Sequence, residues 1–315
     1  MPTLDIPLTI AIPTYNRCGV LQSLVQSVCE QARPSDEIIV SDDGSTDGTV
    51  NQLHQVEKLR LVRHENNQGM VSNWNACLES ATKEWICILH DDDLLEPEGL
   101  TTLRAACSLV DEPALILHLY SGDQFSGAFR CTISRPCPWN VLNCPTIPSG
   151  AVVHRSILET MGVFDTRLKY SADMEFFPRI VARFPLVVIE SPRVVNFRLH
   201  GDNYELKTWR KPDFYGQLEE IHRTIFHHAG IEEEDQVRNL LANRMEGNLS
   251  YMLDLAARFG DASLVRSIAG QYLRYRFQLS IKRRTMLHIA ALTGMRVGQH
   301  LDFRNMPWAC YEGQR

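Results

Sequence analysis

Apolar and polar positions come in alternating blocks along the first 95 residues or so. Leu8-Thr9-Ile10-Ala11-Ile12-Pro13 is an apolar run stopped by proline, which predicts a buried strand. Val20, Leu21, Leu24, Val25 and Val28 recur at helical spacing, and Arg33-Pro34-Ser35 breaks that helix. Glu37-Ile38-Ile39-Val40-Ser41 predicts a second strand, Val50, Leu53 and Val56 a helix, and Leu59-Arg60-Leu61-Val62-Arg63 a third strand. Trp74, Cys77, Leu78 and Ala81 mark the next helix, and Trp85-Ile86-Cys87-Ile88-Leu89 the fourth strand. Alternation of this kind predicts an α/β fold, a Rossmann-like, mostly parallel sheet with helices on both faces.

Further on, Pro97 opens a helix through Leu109 and Val110, and Ala114-Leu115-Ile116-Leu117-His118-Leu119-Tyr120 reads as a strand. From Ser121 to Ser149 the pattern weakens and Pro136, Cys137, Pro138, Cys144 and Pro145 crowd together, which predicts a long loop or a small hairpin. Order returns over 150–200, ending in the strand Leu186-Val187-Val188-Ile189. Beyond Gly201 the pattern is helical, with Leu218, Ile221, Ile225, Leu240, Met245 and Met252 among charges. The tail sets Ile268, Leu273, Phe277 and Ile281 beside Arg274, Arg276, Lys282, Arg283 and Arg284. Such a basic amphipathic segment predicts a helix packed on the domain or, alternatively, peripheral contact with a membrane surface.

The composition of the 315 residues, 44% hydrophobic and 22% charged, is that of a globular protein. A formal net charge of -6 removes the basic bias expected of a nucleic-acid binder. No apolar run approaches the roughly 20 residues of a membrane span. Met1-Pro2-Thr3-Leu4-Asp5 lacks the basic start and apolar core of a signal peptide. The nine cysteines are scattered, with no C-x-x-C pair, so free thiols in a reducing cytoplasm are expected.

The chemistry gathers at the strand ends. Four polar loops follow the four strands: Thr14-Tyr15-Asn16-Arg17, Asp42-Asp43-Gly44-Ser45, Asn66-Asn67-Gln68-Gly69 and Asp91-Asp92-Asp93. In a parallel sheet they share one edge, where open α/β sheets bind ligands. Three adjacent carboxylates repel one another unless a cation sits among them, and a hard divalent ion bridging a diphosphate is the natural partner. Tyr15 can stack on a base, Asp42 or Asp43 can accept from base or ribose, and Arg17 or Arg63 can pair with phosphate. Neither G-x-G-x-x-G nor G-x-x-x-x-G-K-[ST] occurs, which argues against dehydrogenases and P-loop enzymes.

As an ordered set, Ile12-Pro13-Thr14-Tyr15-Asn16-Arg17, Val40-Ser41-Asp42-Asp43-Gly44-Ser45-Thr46-Asp47, Asn67-Gln68-Gly69 and Leu89-His90-Asp91-Asp92-Asp93-Leu94-Leu95 resemble the motifs of family 2 glycosyltransferases with the GT-A fold. The resemblance implies inverting transfer of a sugar from a nucleotide-diphosphate-sugar, assisted by Mn2+ or Mg2+. It implies a GT-A catalytic domain over 1–204, with a donor half to about 95 and an acceptor half from about 96, and a helical C-terminal region over 205–315. Thr14, Tyr15, Arg17, Asp42, Asp43, Asn67, Gly69, Asp91 and Asp92 then fall on the nucleotide-sugar side, and Asp93 on the metal. Where the family often shows Asp-x-Asp-Asp, this chain begins with His90.

Tyr170-Ser171-Ala172-Asp173-Met174-Glu175 resembles the family's base segment, with Ala172 where the family commonly has Glu, which implies that Asp173 is the general base, alone or with Glu175. Helix N-capping by Asp173 is the plain alternative. Phe197-Arg198-Leu199-His200 resembles a late histidine motif, which implies His200 as a metal or diphosphate ligand. The competing functions are a nucleotidyltransferase on a related fold, or a non-catalytic scaffold that retains nucleotide-sugar binding. The acceptor classes in view are a lipid-linked glycan, a surface polysaccharide or a small molecule.

Overall fold

The apolar run Leu8–Thr14 forms β1 and is buried along its whole length because both its faces and both its edges are covered. The computed structural model describes residues 5–198 apart from 55, 57, 120–127, 138–139, 141–143 and 147, and beyond them 207–211, 214–228, 230–233, 235–237, 252–253, 256 and 260–274. Strand β1 pairs in parallel with β2 (Glu37–Asp42) on one side and β4 (Trp85–Ile88) on the other, and β3 (Leu59–Arg63) extends the sheet beyond β2. Past β4 come β8 (Ala151–His154), β6 (Leu115–His118), β9 (Leu186–Ser191) and, at the far edge, β7 (Arg130–Ser134). Of these, β8 and β7 run against their neighbours, while β6 and β9 pair in parallel. The result is an eight-stranded, mostly parallel sheet, ordered β3-β2-β1-β4-β8-β6-β9-β7.

Period-two alternation sorts the strands' side chains. Leu8, Ile10, Ile12, Ile38, Val40 and Cys87 share one core with Leu21, Leu24, Val25 and Val28 of α1 (Leu21–Gln31) and with Leu100 and Leu103 of α4 (Gly99–Cys107). Helix α3 (Met70–Ser80) packs on β1 and β2. Helix α1 ends at extended Ala32, because Pro34 bars Arg33 from continuing the helix.

The weakly patterned stretch 121–149 differs from a loop or local hairpin. Its residues Arg130–Ser134 are β7, paired with β9 more than fifty residues on. A five-residue edge strand of mixed polarity leaves no periodic signal, and its partner is not local. Leu94–Leu95 (β5) and Val195–Asn196 (β10) form a separate two-residue antiparallel ribbon.

The chain divides into two compact units, Met1–Arg198 and Leu199–Arg315. In the second, helix Phe214–His228 buries Phe214, Tyr215, Leu218, Ile221, Ile225 and Phe226 as one stripe, and a further helix spans Ala262–Arg274. The basic tail beyond it, with its membrane reading, lies outside the described residues. No described helix is long and apolar enough to cross a membrane.

Candidate functional site

Strand β1 lies where the strand order reverses, with β2 and β3 added on one side and β4 on the other. A crevice opens outside the carboxyl ends of strands at such a switch point. The loop after β1 is fastened to the loop after β2. The Asn16 N–H donates to Ser45 Oγ at 2.8 Å, Thr46 N–H to Asn16 Oδ1 at 2.9 Å and Arg17 N–H to Thr49 Oγ1 at 3.0 Å. Asn73, buried on α3, donates from one amide to Thr14 O (3.2 Å) and Ser41 O (3.0 Å), joining the two strand ends from below. This scaffold leaves Thr14 buried and Tyr15 44% exposed at the sheet edge.

Asp42 and Asp43 are both buried. Asp42 accepts from Ser45 N–H at 3.0 Å, with Arg63 Nε 3.6 Å away. Asp43 spends both oxygens on the third loop: Oδ1 accepts from Gln68 N–H (2.7 Å) and lies 3.0 Å from His64 Nδ1, while Oδ2 accepts from Gly69 N–H (2.9 Å). Gly69 N–H also reaches Asn67 Oδ1 at 3.0 Å. Asp43 therefore shapes the 64–69 loop that carries Asn67 and Gly69. Gly44 has φ +75°, and a Cβ there would stand 2.9 Å from the Asn66 carbonyl carbon, so these two loops touch backbone to backbone.

The acidic triplet follows β4. Arg17 reaches across the switch point, its Nε 3.3 Å from Asp91 Oδ1 and its terminal nitrogen 3.6 Å from Asp92 Oδ2. Asp93 is wholly buried: Oδ1 accepts from Arg198 N–H at 3.3 Å, and Oδ2 has no hydrogen-bond partner among the described residues. The β5–β10 ribbon sets Arg198 there, and its Nε donates to Asp92 O at 2.6 Å. His90 donates its N–H to Ser149 Oγ (3.1 Å), and its ring stacks on Trp74 with centroids 5.3 Å apart at 23°.

Burial pushes Asp91 up to about 6 against the pull of the Thr14 hydroxyl and Arg17, and pushes Asp93 up to about 6. Burial also holds His90 below its usual value, against the pull of Asp92 and Asp91. Potential ligand atoms of His90, Asp92 and Asp93 all lie within 4.8 Å of one another. An orphaned buried carboxylate oxygen beside an imidazole and a second carboxylate is a donor set that fits a divalent cation.

Asp173 and Glu175 both lie in the first turn of α6 (Ala172–Val181). The N-cap position belongs to Ser171, and Asp173 is the second helical residue, so it is not the cap. Glu175 is buried and pairs with Arg179 Nε at 2.7 Å; Arg179 also donates to Met161 O and Val163 O. Phe164 locks this region to the donor side. Asn75 of α3 bonds both its backbone groups, at 2.9 and 3.0 Å, and its ring lies 5.1 Å from Trp74 and 4.1 Å from Phe176. His200 lies outside the described residues.

Sequence reasoning passed over His90, His64, Asn73, Asn75 and Arg198. The one visible signal was His90, standing where a carboxylate is usual. The asparagines bond backbone groups 32 to 89 positions away, which nothing local announces.

An α/β sheet with an acidic cluster at its switch point frames the comparison with known proteins. Residues 9–108 match the family model described as Glycosyl transferase family 2. An uncharacterized glycosyltransferase of Haemophilus influenzae is 31% identical over 91 residues, covering 29% of this chain and 31% of that protein's length. The S. aureus TarS 1-349 structure with UDP-GlcNAc superposes with a TM-score of 0.62 at 20% identity, covering 91% of this chain and 88% of that one. The mannosyltransferase PcManGT of Pyrobaculum calidifontis, in complex with GDP-Man and Mn2+, gives 0.50 at 18% identity, covering 90% and 79%. Both likenesses establish the fold.

Proposed function

We propose that the chain is an inverting glycosyltransferase that moves a sugar from a nucleotide-diphosphate-sugar to an acceptor hydroxyl. The observation that carries this reading is the meeting of Arg17 with the acidic triplet at the switch point, beside the unshared oxygen of Asp93. Tyr15 stacks on the base, and Asp42 and Asp43 hold the loop edges around the nucleoside. Asp92 and Asp93 would hold a divalent cation, Mn2+ or Mg2+, whose charge would offset that of the diphosphate leaving group. Arg17 exchanges a carboxylate for a phosphate oxygen.

Asp173 takes the acceptor hydroxyl proton as that oxygen attacks the anomeric carbon. The bond from this carbon to the diphosphate breaks on the opposite side, and the configuration inverts. Glu175 serves by holding Arg179 and with it the 161–163 backbone. The bound metal in PcManGT and the UDP-sugar in TarS support the donor class. The acceptor is a glycan, lipid-linked or free, or a small molecule. Every described cysteine is a free thiol, consistent with a cytoplasmic reaction. Peripheral membrane contact, if made, runs through the basic tail. The test is a screen of nucleotide-sugars with Mn2+ or Mg2+ for donor hydrolysis. Release of a nucleoside diphosphate is expected; release of pyrophosphate from a nucleoside triphosphate supplied with a sugar 1-phosphate would make the chain a nucleotidyltransferase, and metal-dependent binding with no turnover a scaffold.

A further inference from the structure

We infer that His90 is itself a metal ligand, so that the site takes a transition-metal cation such as Mn2+ in preference to Mg2+. The inference rests on the cation site proposed above and concerns one donor atom within it. The His90 ring stacks on the Trp74 face, and its backbone N–H is anchored to Ser149 Oγ. It carries a buried nitrogen, Nε2, with no hydrogen-bond partner. One imidazole nitrogen falls in the same cluster as the Asp92 and Asp93 carboxylates, the three ligand atoms within 4.8 Å of one another. Ligand atoms stand about 2.0–2.2 Å from a small divalent ion, so atoms that share one lie at most about 4.4 Å apart. Only one of the three pairs can be trans, so the others must draw in toward the cis spacing of about 3 Å as an ion binds.

Asp93 is the independent sign that something belongs there. Its carboxylate is wholly buried, its partners are the Ser149 hydroxyl and Arg198, and Oδ2 meets no donor in good hydrogen-bond geometry among the described residues. A buried acceptor is costly to leave unmet. Mg2+ demands oxygen ligands in near-ideal octahedral geometry, whereas imidazole nitrogen suits first-row transition ions. Placing histidine where a carboxylate would be all-oxygen shifts the choice toward the latter.

The experiment uses the full chain with Mn2+ alone and with Mn2+ plus pyrophosphate as the diphosphate probe. Electron spin-echo modulation of bound Mn2+ reads directly whether a nitrogen is coordinated. The expected result is a 14N modulation in the wild type, replaced by the 15N pattern on labelling histidine, lost in His90→Asp and retained in His200→Ala. Calorimetry should show the Mn2+ to Mg2+ affinity ratio falling about tenfold or more in His90→Asp, since the all-oxygen set suits Mg2+. His90→Asn serves as a second variant if the Asp form fails to fold, as judged by circular dichroism. Binding of Mn2+ with no nitrogen signal, or a signal that survives His90→Asp, overturns this inference and leaves the cation site standing. Failure to bind either metal, with or without pyrophosphate, overturns both.

Discussion

Asp173 is the residue on which the proposed chemistry turns, and its place in α6 sharpens its test. Since Ser171 holds the N-cap position, Asp173→Asn removes neither a cap nor a helix. Loss of general-base help costs about 10²–10⁴-fold in rate. The transfer rate constant should fall by that order in Asp173→Asn, with nucleotide-sugar affinity nearly unchanged; a rate close to wild type would move the base elsewhere. Tyr15 and Asp43 act differently from each other. Tyr15→Ala removes an exposed ring and should weaken nucleotide binding while leaving the melting temperature alone. Asp43→Ala removes the acceptor of Gln68 and Gly69 N–H, so it should lower affinity and stability together; nucleotide affinity by calorimetry and thermal melts separate the two. Much of this site was legible because its residues are neighbours in sequence within four short loops. Which oxygen does what was not legible. Asp42 and Asp43 read alike as a pair, but the fold turns Asp43 inward to the 64–69 loop.

Among the elements, α3 does more than cover the sheet. Its apolar spacing at Trp74, Cys77 and Leu78 was plain in the sequence, and so were β1 to β4, because buried parallel strands read as continuous apolar runs. The polar residues between were not. Asn73 and Asn75 stand in a helical pattern where solvent-facing residues are usual, and only the folded chain shows them buried against backbone groups. Asn75 joins α3 to Phe164 by both backbone hydrogen bonds, beside the Trp74 ring contact, and Phe164 packs on α6 beside the proposed base. Asn75→Ala leaves the Phe164 N–H and C=O unmet and should destabilise by about 1–3 kcal/mol per group. Transfer rate should fall with stability while metal binding persists; an unchanged melt would show that water replaces the amide. β7 was illegible for the opposite reason. It is short, of mixed polarity and paired far along the chain, so no window of sequence contains its cause.

For the whole molecule, the buried triplet makes stability depend jointly on pH and metal. Folding raises Asp91 and Asp93 to about 6 from an ordinary value of 3.8, so the folded chain binds these protons more tightly than the unfolded chain does. A carboxyl shifted upward contributes stability that is full below the unfolded value and is lost as pH rises through the folded one. The metal-free chain should therefore forfeit this contribution between about pH 4 and 7, as charge accumulates in a site that burial disfavours. A cation reverses the balance, because it binds the ionised carboxylates and stabilises the folded state by mass action. The gain in melting temperature from saturating Mn2+ should be small at pH 5 and should grow through pH 7.5. Asp93→Asn carries one fewer titrating group in the site, so its metal-free melt should depend less on pH and its Mn2+ gain should shrink. A Mn2+ shift of equal size at pH 5 and pH 7.5 would place the bound ion away from Asp91 and Asp93, on ligands that are already ionised at the lower pH.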